Sequence, residues 1–203
     1  FVVYGLAQGG SEQTTYYVLD VASGAVIGSP IDNIETAYNW PQWSKDESGF
    51  FYSRRRALPE DAPSTEEYKQ TRVMFHRLDT AAENDQVIAA FGHSASLPIL
   101  ETDFPSVWLS PRSSHAVLKV KHGDNNEISL FTAPRAELLS GDISWSQLCG
   151  ESDQVTDFAV IGDTIYLVTG KLAPRFRLVE MSLSDPDMAS SRDVVPAGEL
   201  VID

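Results

Sequence analysis

Short apolar runs rich in Val, Ile, Leu, Tyr and Phe alternate along the chain with clusters of Gly, Pro, Asp, Asn and Ser, and helical periodicity is nearly absent. The runs recur in a fixed order. One type of strand, B, reads at 1–7 (FVVYGLA), 49–53 (GFFYS), 115–121 (HAVLKVK) and 164–169 (TIYLVT). Strand C follows at 15–20, 72–78, 127–131 and 175–180, and a shorter strand D at 25–27, 86–91, 145–148 and 192–195. Strand A precedes B three times, at 40–43, 107–109 and 157–161, through the tight turns 45–49, 111–114 and Gly162-Asp163. Tyr17, Phe75, Leu130 and Leu178 occupy equivalent places, so the unit repeats about every 50 residues. Four antiparallel strands at that period predict an all-β fold, a β-propeller segment of about four blades. The expected blades are 1–29 (lacking strand A), 38–91, 104–149 and 156–196, with 199–203 starting a further blade or filling the missing A position and closing a four-bladed ring. Several B strands are apolar on both sides, as a sheet covered on both faces requires.

Composition narrows the classes. The chain carries 29 acidic and 15 basic residues, a net charge of −14. That balance opposes binding to the phosphates of nucleic acid or to an anionic membrane surface. No apolar run reaches the roughly 20 residues that span a bilayer. No signal peptide is visible, and the chain opens at Phe1 inside a predicted strand, as expected of a segment of a longer protein. The single cysteine, Cys149, excludes an internal disulfide and a cysteine-rich metal site, and is compatible with cytoplasm or periplasm.

Candidate chemistry is sparse. Gly92-His93-Ser94-Ala95-Ser96 has the outline of a nucleophile elbow but lacks the final Gly and sits between predicted blades, so it reads as a polar loop. His76, His93, His115 and His122 show no zinc-type spacing. Glu66-Glu67 and Asp185-Pro186-Asp187 read as solvated loop charge. The one basic run, Arg54-Arg55-Arg56, precedes a polar insertion at 60–70 and offers contacts to another domain or to a peptide carboxylate. No catalytic residue, metal site or cofactor is expected.

The stretch 43–53 (WSKDESGFFYS) resembles the Trp-x-x-Asp-x-x-Gly-Phe-Phe-Tyr segment of the prolyl oligopeptidase family's propeller. Residues 75–80 (FHRLDT) resemble its Tyr-His-x-Leu-Gly-Thr, with Asp79 where the family has Gly, and 173–179, Asp185-Pro186 and 194–196 resemble its later blades. The resemblance runs in order over nearly the whole chain. It implies the partial N-terminal propeller of a serine peptidase, in which seven blades cap an α/β-hydrolase domain that cleaves after proline. The related oligopeptidase B group, which cleaves after basic residues, shares the plan, and the Gly-Phe-Phe-Tyr stretch favours the prolyl branch. The implied partners are that hydrolase domain in the parent chain and short peptide substrates, with the propeller gating their access. The resemblance also matches Lys121 to a family Arg that reaches toward bound peptide, which makes Lys121 the candidate substrate-binding residue; Asp124 stands where some members have Cys. A lysine supplies a point charge without the planar fork of arginine. A stand-alone propeller that binds proteins is the alternative.

Overall fold

A computed structural model describes residues 1–9, 13–59 and 61–202; Glu60 of the predicted insertion and Asp203 of the predicted last strand lie outside the described residues. Among the described residues the regular structure is β1 (Val2–Ala7), β2 (Thr14–Asp20), β3 (Ala25–Ile34), β4 (Gln42–Trp43), β5 (Gly49–Arg54), β6 (Arg72–Arg77), β7 (Gln86–Ala90), β8 (Asp103–Leu109), β9 (His115–His122), β10 (Ile128–Pro134), β11 (Ser146–Cys149), β12 (Val155–Ile161), β13 (Thr164–Thr169), β14 (Arg177–Ser182) and β15 (Arg192–Val195). Only single turns of 3-10 helix interrupt them. The chain divides into two compact units, Phe1–Val107 and Trp108–Asp203.

The first unit holds one seven-stranded antiparallel sheet in the order β1-β2-β3-β5-β6-β7, with β4 also paired to β5. The sequence pattern treats 1–29 and 38–91 as separate sheets. The structure joins them through one residue pair, Ile34 opposite Arg54, because β3 runs on past its predicted end at residue 27. Left-handed backbone at Gly28 (φ 67°) and Asn33 (φ 63°) and two register shifts against β2 let the strand bend rather than stop. Tyr16, Val18, Ile31, Ile34, Phe50, Tyr52 and Met74 fill the core on one side. On the other side of β5, Phe51 meets Phe75 with ring centroids 4.8 Å apart. Both faces of β5 are therefore covered, and each buried aliphatic or aromatic side chain contributes about 1.5–3 kcal/mol.

The WSKDESGFFYS stretch is a strand-turn-strand element. Asp46 accepts from the hydroxyls of Ser44 (2.7 Å) and Ser48 (2.9 Å), which hold its carboxyl down to about 2. Ser44 N–H donates to Gly49 O at 2.9 Å and closes the turn. A side chain at Gly49 is sterically barred, since a Cβ there would lie 2.1 Å from the backbone oxygen of His76. At Asp79 φ is 62°, which explains why glycine suits that turn and why Asp is an acceptable replacement.

The second unit contains the sheet β12-β13-β14-β15 and most of the sheet β11-β10-β9-β8. Val117, Ile128, Leu130 and Leu148 of one meet Val155, Ile165, Leu167, Val179 and Met181 of the other in a continuous core. β14 starts at Arg177 rather than at the expected residue 175, because Leu172 (φ 56°) and Phe176 (φ 64°) keep the preceding segment in turns. Residues 199–202 form no strand; Ile202 N–H donates to Arg175 O at 3.1 Å.

Replacing Gly49 by Ala forces backbone apart at the β5–β6 pair. The variant is expected to lose about 2–4 kcal/mol of stability, read as a lower urea midpoint at unchanged m-value. A midpoint within error of the parent would contradict the close approach.

Candidate functional site

The four histidines are scattered, and His76, His115 and His122 have hydrogen-bonding neighbours. His76 is buried, its Nδ1 2.9 Å from Asp85 Oδ1, while Tyr52 O–H donates to Asp85 Oδ2 at 2.6 Å. His122 Nε2 lies 2.8 Å from Ser129 Oγ, and His115 lies beside Ser114 and Asp163. His93 sits in the exposed turn after β7, where the Ser94 and Ser96 hydroxyls lie 2.8 Å apart and Ser94 Oγ accepts from Ser96 N–H. No helix follows that turn, so the strand-turn-helix setting of a nucleophile elbow is absent. Among the described residues no group of three His, Cys, Asp or Glu is placed to hold a metal ion. Cys149 is buried, and burial pushes its thiol up to about 12, so it is no nucleophile at neutral pH.

The basic run is used internally. Arg54 donates to the carbonyls of Asp32 and Ala82. Arg55 is buried, with Nε 2.6 Å from Glu35 Oε2, Nη1 2.9 Å from Glu67 and its guanidinium over the Tyr68 ring. Burial alone would weaken its hold on the proton, but the two carboxylates outweigh that and raise its pKa. Arg56 pairs with Glu66, which also takes Lys69 at 2.8 Å. Glu66 and Glu67, expected as solvated loop charge, thus join this run in an ion-pair network. A pocket of about 370 Å³ lies beside it, lined by Arg55, Arg56, Pro59, Pro63 and Glu67. Sequence pointed away from this network because Glu35 stands 20 residues from its partner in an unremarkable strand end.

Lys121 lies at the far end of β9, half-buried, opposite Ile128 of β10. Residues directly opposite share a face, so Lys121 and Lys119, opposite Leu130, emerge on the face that buries Val117. Lys119 Nζ lies 5.5 Å from the centre of the Trp108 ring. Trp108 in turn meets Phe158 of β12 edge-on at 5.6 Å. Burial lowers the pKa of Lys119; Asp157 opposes that and Lys121 adds to it. The result is a lysine pair beside an aromatic shelf. Asp124 is exposed in the following turn. Lys119 and Trp108 were legible only as a strand lysine and a strand tryptophan; the signal available was the Lys-x-Lys spacing, which puts both on one face.

The turns 111–114 and Gly162-Asp163, each predicted to join A to B, meet. Ser113 and Ser114 hydroxyls each donate to the Asp163 carboxylate at 2.7 Å, and Ser114 N–H adds a third bond at 2.8 Å. Ser113 and Asp163 are 50 residues apart, one repeat.

Repeated antiparallel sheets, apolar on both faces and linked turn to turn at that interval, define a β-propeller segment. The chain belongs to the prolyl oligopeptidase N-terminal β-propeller family, whose model matches residues 1–202. It is 24% identical over 199 residues to a prolyl endopeptidase of Elizabethkingia meningoseptica, covering 96% of this chain and 26% of that protein. It is 20% identical over 209 residues to prolyl oligopeptidase A of Amanita bisporigera, covering 93% and 26%. A solved prolyl oligopeptidase B of Galerina marginata superposes with a TM-score of 0.74 at 19% identity, over 97% of this chain and 28% of that one. The chain thus spans about a quarter of the length of the curated relatives it matches. No helix among the described residues is long and apolar enough to cross a membrane.

The serine donors hold the Asp163 carboxyl well below the usual carboxylate range. A depressed carboxyl stabilises the fold fully above its unfolded pKa of about 3.9 and loses that contribution as pH falls toward the folded value. Asp163→Asn is therefore expected to be less stable than the parent at pH 7, with the gap shrinking only below about pH 4. Urea midpoints at stepped pH check this; a constant gap from pH 7 to pH 2 would refute it.

Proposed function

We propose that this chain is the non-catalytic propeller portion of a prolyl oligopeptidase-like serine peptidase, and that it limits access of short peptides to a hydrolase domain carried elsewhere in the parent protein. The observation that carries the reading is a family match over residues 1–202 by a chain only about a quarter as long as its relatives. In this reading a partial blade at 1–29 is followed by blades at 38–91, 104–149 and 156–196, and 199–203 leads toward the next blade of a seven-bladed ring. Sheets whose two faces are both packed deform little, because dense cores resist compression. A ring of such sheets acts as a fixed aperture. Extended peptides pass, and folded proteins do not.

Lys121 is the proposed peptide contact. Its ammonium stands at the end of a buried strand, where the backbone holds it in place while the charge stays half open to water. It suits a peptide carbonyl or carboxylate.

Two outcomes are expected. The 203-residue chain alone releases no product from a chromogenic anilide with proline before the scissile bond, whereas the complete reading frame does. Hydrolysis by the chain alone that serine-directed inhibitors abolish would defeat the non-catalytic assignment, and a complete frame without a hydrolase domain would select a stand-alone binding module. In the complete enzyme, Lys121→Ala raises KM for a peptide substrate by about three- to tenfold with kcat little changed, the size of one charge-assisted hydrogen bond at a half-open site. An unchanged KM would remove Lys121 from the substrate path.

A further inference from the structure

We propose that Leu172, in the turn between β13 and β14, is an anchor that seats in an apolar pocket of the hydrolase domain carried elsewhere in the parent protein. The inference rests on the reading that such a domain exists, and it names the point at which this chain grips it.

Two costs meet at Leu172. Its side chain is 95% exposed, the most of any large apolar side chain among the described residues. Its backbone is left-handed, with φ 56°, a conformation that crowds a bulky side chain and that Gly or Asn adopts more readily. A lone exposed leucine is ordinary, and a strained residue is ordinary where its surroundings fix it. Here the strain comes with almost no burial of the side chain, so neither cost is offset by contacts of that side chain within the chain.

The turn is held firmly. Gly170 N–H donates to Gln154 O at 2.9 Å, Ala173 N–H to Gly170 O at 2.9 Å and Phe176 N–H to Ala173 O at 2.8 Å. Lys171 Nζ lies 2.7 Å from Asp153 Oδ1, and Asp153 Oδ2 accepts from Gly150 N–H at 3.0 Å. Ala173, the next residue after Leu172, is buried, and Arg175 O accepts from Ile202 N–H at 3.1 Å. Gln154 and Phe176 are left-handed as well, with φ 51° and 64°. Strain that the surroundings over-determine in this way gathers where a residue is set for use. A side chain fixed before it meets its partner loses little freedom on docking. The cation beside it is already paired with Asp153, so an apolar surface can close over Leu172 without stranding a charge.

Size identifies the partner. A stable contact between separate proteins takes about 800 Å² from each side, of which one protruding leucine supplies a small part. Burying that leucine shifts an equilibrium by about ten- to a hundredfold. This is too little to hold a second copy or a free protein against the cost of association. The same factor is decisive between parts of one chain, which a linker keeps at about millimolar effective concentration. The chain spans about a quarter of the length of its relatives, and the hydrolase domain of the proposed function is such a tethered part.

The test compares the complete protein with the 203-residue chain. In the shorter chain Cys149 is buried, so Leu172→Cys supplies the thiol that a maleimide reaches. In the complete protein, labelling at that position, read by mass spectrometry, should slow by about tenfold, the lower end of the burial factor. A benzophenone side chain placed at position 172 of the complete protein should photo-crosslink to the hydrolase domain. Equal labelling rates in the two proteins, or crosslinks only to a second copy, would overturn the anchor. Leu172→Asn relieves the backbone strain, so in the 203-residue chain the urea midpoint should hold or rise. A lower midpoint would give Leu172 a task inside this chain and would also overturn the proposal. A complete protein with no hydrolase domain defeats both the inference and the reading beneath it. One that has the domain and cleaves the proline anilide, while position 172 stays open to the maleimide, defeats the inference alone.

Discussion

The fold depends on sheets that have no face to spare. β5 buries Phe50 and Tyr52 on one side and Phe51 on the other, and β9 buries Val117 on one side and Ala116, Leu118 and Val120 on the other. A small antiparallel sheet exposed on one side would alternate apolar and polar positions; these do not. Such a sheet is stable only when a neighbouring sheet covers each face, and stacking sheet on sheet is the arrangement that supplies this. The repeat in the sequence and the stacking in space are consequences of the same requirement.

Most of the strand plan was legible because it follows from short-range rules. Alternating runs, turn residues and a regular period locate β5, β6, β13 and β15 almost to the residue. The departures come from backbone states that composition does not announce. β3 runs on to Ile34 because Gly28 and Asn33 adopt left-handed φ, and β14 starts late because Leu172 and Phe176 do. Leu and Phe are poor markers for such positions, since a left-handed backbone strains them and only the surrounding structure makes them adopt it. Long-range pairing was illegible for a different reason. Nothing local links Glu35 to Arg55, and a run of three arginines reads as surface charge until the fold brings carboxylates to it.

The basic run fastens local structure. Burying an ion pair costs desolvation that its mutual attraction roughly repays, so the gain is more in specificity of arrangement than in net stability. Glu35 and Arg55 sit where β3 and β5 are bridged by a single pair, the thinnest point of the seven-stranded sheet. Their bond and those of Arg55 to Glu67 and Tyr68 fasten the insertion to that point.

The family motif also separates into parts with different jobs. Asp46 and Gly49 resemble family positions, and Asp79 stands in for the family's Gly, because a turn, a close approach and a left-handed residue are needed there. His76 belongs with them, buried against Asp85. Each of these residues bonds or packs within its own unit. A structural motif of this kind specifies the scaffold. Lys121 lies apart from that motif, at the end of β9, a strand that buries Val117 on one face and Val120 on the other.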